Sequence, residues 1–284
     1  MLERKVPELP EVESTRRRLE PAMARNRFER VDVRRPDLRI PFPPRFRARL
    51  TGQTALAVQR RAKYLLVPLS SGETLLMHLG MSGSFRVMRE QPGTRTRRTA
   101  TRLDRHDHVI LHLSSGRAVV FNDPRRFGIM ELVAAGKLQQ HPVLSRLGPE
   151  PLSREFDGAA LARACHRKKT SLKAALMDQR VVAGLGNIYV VEALHAAGLS
   201  PQRRASMIAT SSGAPRDEAH RLVSAIKRVL EDAIARQSGA RYRDTRFLVY
   251  DREDERCLKS GCSGTIRRRV LGGRSTFYCP VCQS

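Results

Sequence analysis

The first half of the chain is patterned as a series of short β-strands. Between positions 54 and 133, apolar residues either alternate with polar ones or form short runs, which is the periodicity of half-buried and buried strands. The turn SSGR at 114–117 joins two such runs and predicts a hairpin. The predicted strands cover 54–59, 64–69, 74–79, 109–113, 118–121 and 128–133. Together they predict a β-sandwich.

Helical spacing dominates the second half. A linker at 147–151 (LGPEP) ends the β region. Helices are predicted at 157–166, 171–177, 188–197 and 216–235, and one more precedes the strands at 12–24, opened by Pro10. The polar, Arg-rich segment 91–105 is predicted to be a loop. The fold class is therefore α+β and multidomain, and we place the domain limits at 7–135, 151–238 and 245–284.

Four cysteines near the end of the chain have metal-ligand spacing. Cys257 and Cys262 are separated by four residues, sixteen follow, and Cys279 and Cys282 are separated by two. Two thiolate pairs flanking a loop predict a zinc ribbon holding one structural Zn²⁺, and two disulfides are the alternative. The intervening segment 266–278 predicts strand, Gly-Gly turn, strand, with four arginines and no acidic residue. A metal-stiffened hairpin with a cationic tip is suited to contacting a polyanion.

The overall charge agrees with an anionic partner. The chain has 53 Lys and Arg against 28 Asp and Glu, a formal net charge of +25. Because the charge is spread along the whole chain, nucleic acid is favoured over an anionic membrane surface. No apolar run approaches membrane-spanning length, and the N-terminus has no secretory pattern. With 5% aromatic residues and no Trp, a single-strand binder built on stacking platforms is disfavoured.

Two loops combine residue types that bind nucleic acid. In the segment 178–189, a Gly-x-Gly-Asn turn precedes a helix, and its backbone N–H groups could face a phosphate. In the segment 122–128, an apolar Phe127 stands beside Arg125, as in a wedge that replaces a displaced base. Taken singly, each also fits a structural interpretation, as a helix–turn–helix connection and as a solvated loop with one core Phe.

Seven motifs in a fixed order resemble those of one protein family. They are PELPEVE (7–13), RAKYL (61–65), HLGMSGS (78–84), HDH (106–108), DPRRFG (123–128), GLGNIY (184–189) and the four-cysteine ribbon. The chain resembles the formamidopyrimidine-DNA glycosylase family, which includes endonuclease VIII. The resemblance implies a β-sandwich, a helix–two-turn–helix domain and a C-terminal four-cysteine zinc ribbon. It also implies duplex DNA with oxidised bases or abasic sites as the partner, a monomer, and a place with the nucleoid in bacterial cytoplasm.

The same resemblance implies roles for individual residues. Pro7 would be an amine nucleophile that attacks the sugar C1′, Glu8 its acid/base, Lys63 a proton donor and Arg274 a phosphate ligand assisting the second elimination. Three residues would fill the space left by the flipped nucleotide, and four would hold phosphates or the DNA backbone. The first set is Met81, Arg125 and Phe127. The second set is His106, Lys168, Lys173 and Asn187.

Two departures from the family pattern bear on activity. Pro7 follows six residues, and within a chain its nitrogen is a tertiary amide that cannot form a Schiff base. We expect the extension to be absent in the cell, because valine codons can serve as bacterial start codons. Translation that starts at Val6 gives Met-Pro, whose Met is normally removed, so Pro7 becomes the first residue. The segment 237–255 is shorter than in family members specific for 8-oxoguanine, so the preference for oxidised purines is open.

Two functions from different classes therefore remain at the level of sequence. The first is a bifunctional DNA glycosylase and abasic-site lyase that removes oxidised bases. The second is a non-catalytic binder of damaged DNA with the same fold and a blocked Pro7 amine. A zinc-ribbon nucleic-acid binder without base flipping is a distant third, because it would have no use for the Pro7-Glu8 pair. The N-terminus of the mature protein distinguishes the first two.

Overall fold

The computed structural model describes residues 6–89, 103–238 and 247–284. The chain divides into two compact units, Met1–Ser145 and Arg146–Ser284, with the division next to the predicted linker. Among the described residues, no helix is both long and apolar enough to span a membrane.

The described part of the N-terminal unit is a sandwich of two four-stranded antiparallel sheets preceded by a helix. The strand orders are β1-β6-β7-β5 and β2-β3-β4-β8. Its elements are α1 (Leu9–Met23), β1 (Phe28–Val33), α2 (Phe46–Leu50), β2 (Gln59–Arg61), β3 (Tyr64–Pro68), β4 (Thr74–His78), β5 (Ser84–Arg89), β6 (Asp107–Leu113), β7 (Arg117–Asn122) and β8 (Ile129–Val133). The predicted β-sandwich is confirmed.

One apolar core joins α1 to both sheets. Buried residues from the helix (Leu19), the first sheet (Phe28, Leu111) and the second (Leu65, Leu75) belong to one cluster. Because α1 lies against this core, it fixes the segment before it, which contains Pro7.

The strand predictions failed where the period of two is broken. The predicted strand 54–59 is wrong for most of its length, since Thr54 and Ala55 form only isolated bridges and β2 begins at Gln59. Strand β1 was not predicted, because a register shift between Phe28 and Arg30 interrupts its alternation. Strand β5 was not predicted either, and its central residues, Arg86 and Val87, are only partly buried.

In its described residues, the second unit has four α-helices around their own core, followed by the ribbon. The helices are α3 (Gly158–Cys165), α4 (Leu172–Met177), α5 (Asn187–Ala197) and α6 (Asp217–Ser238). Asp157 and Ser171 cap α3 and α4 by accepting backbone N–H groups at 2.7 and 3.2 Å. The four predicted helices are confirmed with small differences at their ends, because these capping residues and Gly198 are readable from sequence.

The ribbon is the predicted hairpin. Strands β9 (Arg267–Leu271) and β10 (Arg274–Tyr278) pair antiparallel, with Arg274 opposite Leu271. Gly272 and Gly273 both have positive φ, +57° and +71°, as the tight two-residue turn requires. In the predicted 91–105 loop, residues 91–102 lie outside the described residues, and so do residues 239–246 of the short segment 237–255.

Candidate active site and zinc centre

Pro7 and Glu8 stand at the entry of α1. Pro7 is half-buried, and Glu8 is the N-cap residue with only 3% of its surface exposed. Glu8 and Glu11 form a capping box, in which the backbone N–H of Glu8 donates to Glu11 Oε2 at 3.0 Å. The peptide that follows Pro7 is therefore held in one orientation, with a buried carboxylate on the neighbouring residue.

Lys63 lies in the tight turn between β2 and β3. The preceding Ala62 has φ of 53°, which turns the chain so that Lys63 is presented half-buried beside the sheet. Its charge reaches His78 at the end of β4, since burial, followed by Lys63 and Arg39, lowers the pKa of His78 to about 4. His78 is neutral at physiological pH, and its Nδ1 accepts the Gly80 N–H at 3.0 Å.

A buried hydrogen-bond network joins the loop carrying Met81 to the loop 123–128. Ser82 Oγ donates to Asp123 Oδ1 at 2.5 Å and accepts the backbone N–H of Arg125 at 3.1 Å. Asp123, which is fully buried, also accepts the Gly128 N–H through Oδ2 at 2.8 Å. Sequence inspection missed both roles, because Ser82 and Asp123 are 41 positions apart.

The tip of this paired loop presents an aromatic ring and a cation. Phe127 is 40% exposed, and the Arg125 guanidinium carbon lies 4.9 Å from its ring centre. Gly80 packs against the Phe127 backbone so closely that a Cβ there would lie 2.3 Å from the Phe127 carbonyl carbon. Half-buried Met81 follows Gly80, so the three residues predicted to fill a vacated base site lie on two interlocked loops.

His106 belongs to the same neighbourhood. It is half-buried, and its backbone carbonyl accepts the Asp123 N–H at 3.0 Å. The ring nitrogen Nε2 accepts from Arg105 Nε at 2.9 Å. The structure thus brings His106, Arg125, Phe127 and Met81 together within the N-terminal unit.

In the second unit, Lys173 and Asn187 contact the ribbon hairpin next to Arg274, close to its Gly-Gly turn. Lys173 is 2% exposed, and its Nζ donates to Thr276 Oγ1 at 2.6 Å. Asn187 Nδ2 donates to the Ser275 carbonyl at 3.0 Å. Burial, with Arg274 as a second cause, lowers the pKa of Lys173 to about 8. Lys173 and Asn187 therefore fix the two residues that follow Arg274 in the hairpin, Ser275 and Thr276.

Arg274 differs from the other hairpin arginines. Arg267 and Arg268 lie within 3.3 and 3.6 Å of acidic side chains, and Arg269 donates to Gln202 at 3.1 Å. Arg274 is exposed, and within the described parts of the chain no acidic group lies within ion-pair distance of it. Its charge is thus available to an anion.

The turn before α5 is shaped by one side-chain amide. Gln179 accepts the Gly184 N–H at 2.9 Å and donates to the carbonyl of Leu185 at 2.9 Å. This holds the Gly-x-Gly-Asn turn in place. Lys168 lies half-buried after α3. The pKa of Asp178, at the start of this turn, is lowered mainly by its hydrogen bond from Arg180 and to a smaller extent by the charge of Lys168.

The four ribbon cysteines fit a tetrahedral metal site. All four sulfurs lie within 4.8 Å of one another, and the Cys257–Cys282 and Cys262–Cys279 distances are 3.8 and 3.6 Å. With Zn–S bonds of about 2.3 Å, a tetrahedron places its sulfurs about 3.8 Å apart. A disulfide would require about 2.0 Å, so the alternative of two disulfides is wrong. The fifth cysteine, Cys165, is buried, and burial raises the pKa of its thiol to about 11.

Comparison with known proteins identifies the family along almost the whole chain. The profile of the formamidopyrimidine-DNA glycosylase N-terminal domain matches residues 6–130, and that of the formamidopyrimidine-DNA glycosylase H2TH domain matches 147–244. The zinc finger found in FPG and IleRS matches 254–284. The chain belongs to the formamidopyrimidine-DNA glycosylase family. Its ribbon accordingly holds one structural zinc ion, and the protein is a DNA glycosylase of base excision repair.

Individual members of the family are similar over their full length. The formamidopyrimidine-DNA glycosylase of Bradyrhizobium sp. (strain BTAi1) is 55% identical over 294 residues, covering 98% of this chain and 100% of that protein. The protein of Rhodopseudomonas palustris (strain HaA2) is 56% identical over 296 residues with the same coverage.

Solved structures of the family have the same fold. The Lactococcus lactis enzyme, bound non-covalently to DNA containing an abasic site, matches with a TM-score of 0.84 and 28% identity, covering 98% of this chain and 100% of that one. The Thermus thermophilus protein matches with a TM-score of 0.78 and 39% identity, covering 98% of each chain.

Proposed function

We propose that this enzyme removes oxidised bases, including formamidopyrimidines and 8-oxoguanine, from duplex DNA and then cleaves the strand as an abasic-site lyase. The observation that carries the proposal is the Pro7-Glu8 pair, a half-buried proline followed by a carboxylate that is 3% exposed and fixed by a capping box. Similar proteins have been solved with DNA containing an abasic site, an oxidised pyrimidine and carbocyclic 8-oxo-G.

The covalent chemistry begins with the nitrogen of Pro7. Its lone pair forms a bond to C1′, the bond from C1′ to the base breaks, and the base leaves with that electron pair and takes up a proton. Opening of the sugar ring at O4′ then gives an iminium between C1′ and the Pro7 nitrogen. This electron sink acidifies C2′, so loss of a proton there expels the 3′ phosphate, and a second elimination expels the 5′ phosphate. Water finally hydrolyses the iminium and restores the amine.

Glu8, Lys63 and Arg274 complete the proposed catalytic set. Glu8 is placed next to the nucleophile to move protons at the sugar, since its buried position and capping box leave it one orientation. Lys63 donates a proton, from a turn that presents it beside the sheet. Exposed Arg274 binds the phosphate that leaves in the second elimination. Lys173 and Asn187 hold its position through hydrogen bonds to Thr276 and Ser275.

The DNA-binding residues fall into two proposed groups. Phe127, Arg125 and Met81 enter the duplex where the damaged nucleotide leaves it, which offsets part of the cost of unstacking. His106, Lys168 and the turn ending at Asn187 bind phosphates, in keeping with the formal charge of +25.

Activity requires a form of the protein in which Pro7 is the first residue. Within the chain the Pro7 nitrogen is an amide, whereas as the first residue it is a secondary amine. If Pro7 stays blocked, the remaining loops still bind DNA, and the protein acts as a damage binder.

The domain limits 7–135, 151–238 and 245–284 and a monomeric state are parts of the same proposal. Since the substrate is DNA, we place the enzyme with the chromosome in the bacterial cytoplasm. The lesion range stays open on account of the short segment 237–255.

The test uses duplexes with a single lesion and protein that begins at Pro7. Duplexes carrying 8-oxoguanine, a formamidopyrimidine or an abasic site are expected to yield a one-nucleoside gap with phosphate at both ends. Arg274→Ala should accumulate the product of the first elimination. Arg267→Ala is the matched control, because it removes an arginine of the same hairpin that is already paired with Asp254. Release of a base without strand cleavage would contradict the proposed lyase activity. If neither 8-oxoguanine nor the formamidopyrimidine is released, the proposed substrates are wrong.

A further inference from the structure

Helix α5 holds the ribbon at three points along its length. At its start, Asn187 bonds to the Ser275 carbonyl of the hairpin. In its middle, the buried Glu192 carboxylate accepts the backbone N–H groups of Leu248, Val249 and Tyr250, each at 2.9 Å. The third point, near its end, is a histidine beside the zinc centre.

His195 lies against two of the four zinc ligands. Its Nε2 is 3.4 Å from Cys257 Sγ and 3.7 Å from Cys282 Sγ, and the residue is 3% exposed. The other ring nitrogen, Nδ1, is buried and finds no hydrogen-bond partner among the described residues.

The orphaned nitrogen decides which atom carries the proton. A neutral imidazole has one N–H, and it lies on the nitrogen that has an acceptor. Nδ1 has none, whereas Nε2 faces two sulfurs that are thiolates when they bind zinc. The N–H therefore lies on Nε2 and points at the Cys257–Cys282 edge of the site.

We propose that His195 is a further residue of the zinc centre, donating an N–H···S hydrogen bond to Cys257 that is shared with Cys282. A tetrathiolate zinc site carries net negative charge, and donors to its sulfurs draw off part of it, which slows attack by acids, electrophiles and oxidants. Cys257 and Cys262 have backbone donors of this kind, from Lys259 at 3.5 Å and Gly264 at 3.4 Å. For Cys282, the described residues offer no such backbone donor. His195 therefore supplies a hydrogen-bond donor that the backbone around Cys282 does not.

The bond also acts on the position of the hairpin. Residues that orient metal ligands typically change metal affinity 10–100-fold when they are replaced. Because His195 and Asn187 stand on the same helix, one rigid element sets both the zinc end of the ribbon and the backbone next to Arg274.

The test compares zinc release in four purified, zinc-loaded proteins. The rate of transfer to a metallochromic chelator is measured for the wild type, His195→Phe, His195→Gln and His166→Phe. Phe removes the donor and keeps a ring, Gln restores an N–H donor, and His166→Phe removes a histidine that bonds to the Ser211 carbonyl in the same unit. We expect His195→Phe to release zinc about tenfold faster, His195→Gln to recover most of that difference, and His166→Phe to match the wild type.

Alkylation of the cysteines, mapped by peptide mass, gives a second readout. In His195→Phe, Cys257 and Cys282 should gain reactivity more than Cys262 and Cys279. Wild-type release and an unchanged alkylation pattern in a folded His195→Phe protein would overturn the proposal. Equal acceleration in His195→Phe, His195→Gln and His166→Phe would also overturn it, since that result indicates general loss of stability.

Discussion

Replacing Ser82 by alanine is expected to loosen the two loops that carry Met81, Arg125 and Phe127. The change deletes one oxygen and leaves the backbone untouched. That oxygen donates to Asp123 at 2.5 Å and accepts the Arg125 N–H at 3.1 Å. Ser82 is 9% exposed and Asp123 is fully buried, so water cannot readily replace either bond.

The expected cost follows from these two bonds. A hydrogen bond to a charged group contributes about 1.5–3 kcal/mol, and a buried group left without its partner costs about 1–3 kcal/mol. Since Asp123 keeps its bond from Gly128, we expect the free energy of unfolding of the N-terminal unit to fall by about 2–3 kcal/mol. At about 1.4 kcal/mol per factor of ten, this raises the unfolded fraction about 30- to 150-fold.

The assay pairs urea unfolding with single-turnover kinetics. Ser71→Ala is the matched control, because Ser71 is exposed in the same unit and makes one long bond, at 3.4 Å to the Glu73 N–H. Its effect should stay within about 0.5 kcal/mol. In Ser82→Ala, excision of a damaged base should slow about tenfold, whereas cleavage at a pre-formed abasic site should change less, since misplacement of the loops affects mainly extrusion.

Two results would show that Ser82 and Asp123 do not act in this way. If Ser82→Ala unfolds at the same urea concentration as Ser71→Ala, the network does not stabilise the loops. If stability falls but both substrates are processed as in the wild type, the network does not serve base extrusion.

Three other predictions concern single side chains. Protein purified without added zinc should contain about one zinc per chain by metal analysis. Cys279→Ser should lose both the metal and the binding of phosphate by Arg274, which lowers the yield of the second elimination. Full activity of a metal-free, folded protein would contradict this. Phe127→Ala should slow base excision while leaving cleavage of an abasic site less affected, and equal loss on both substrates would show that the ring only supports the fold. Burial lowers the pKa of Lys173 to about 8, and a bound phosphate should raise it again, so DNA binding should take up protons near pH 8–9 and weaken as pH rises through that window. Calorimetry in buffers of different ionisation enthalpy should show this proton uptake in the wild type and not in Lys173→Met. Equal uptake in the two proteins would show that Lys173 is not the group that takes up the proton.

Sequence patterns predicted the elements whose signals are local. Helix α4 starts where Ser171 caps it, and the ribbon turns where two glycines take positive φ. Strand β1 was not predictable, because a register shift breaks its alternation. The segment 54–59 alternates like a strand, but in the fold Thr54 and Ala55 form only isolated bridges.

The resemblance assigned roles to individual residues of the candidate site, and those roles stay predictions, but it did not indicate which other residues hold them in position. Ser82 and Asp123 are far apart in sequence, as are His195 and Cys257, and only the folded chain brings them together. Lys173 illustrates the same limit, since the resemblance implied only a role in holding DNA, and the folded chain buries Lys173 against Thr276.

The most direct test of Pro7 as the nucleophile is covalent trapping by borohydride, which reduces the iminium between Pro7 and C1′. Two proteins are compared on duplex DNA with one abasic site, one beginning at Pro7 and the other retaining residues 1–6. We expect the first to be trapped as a protein–DNA adduct linked through Pro7, whereas the second binds the same DNA and is not trapped. If the longer chain is trapped equally well, Pro7 is not the nucleophile, and peptide mapping of the adduct would then be expected to point to a lysine such as Lys63.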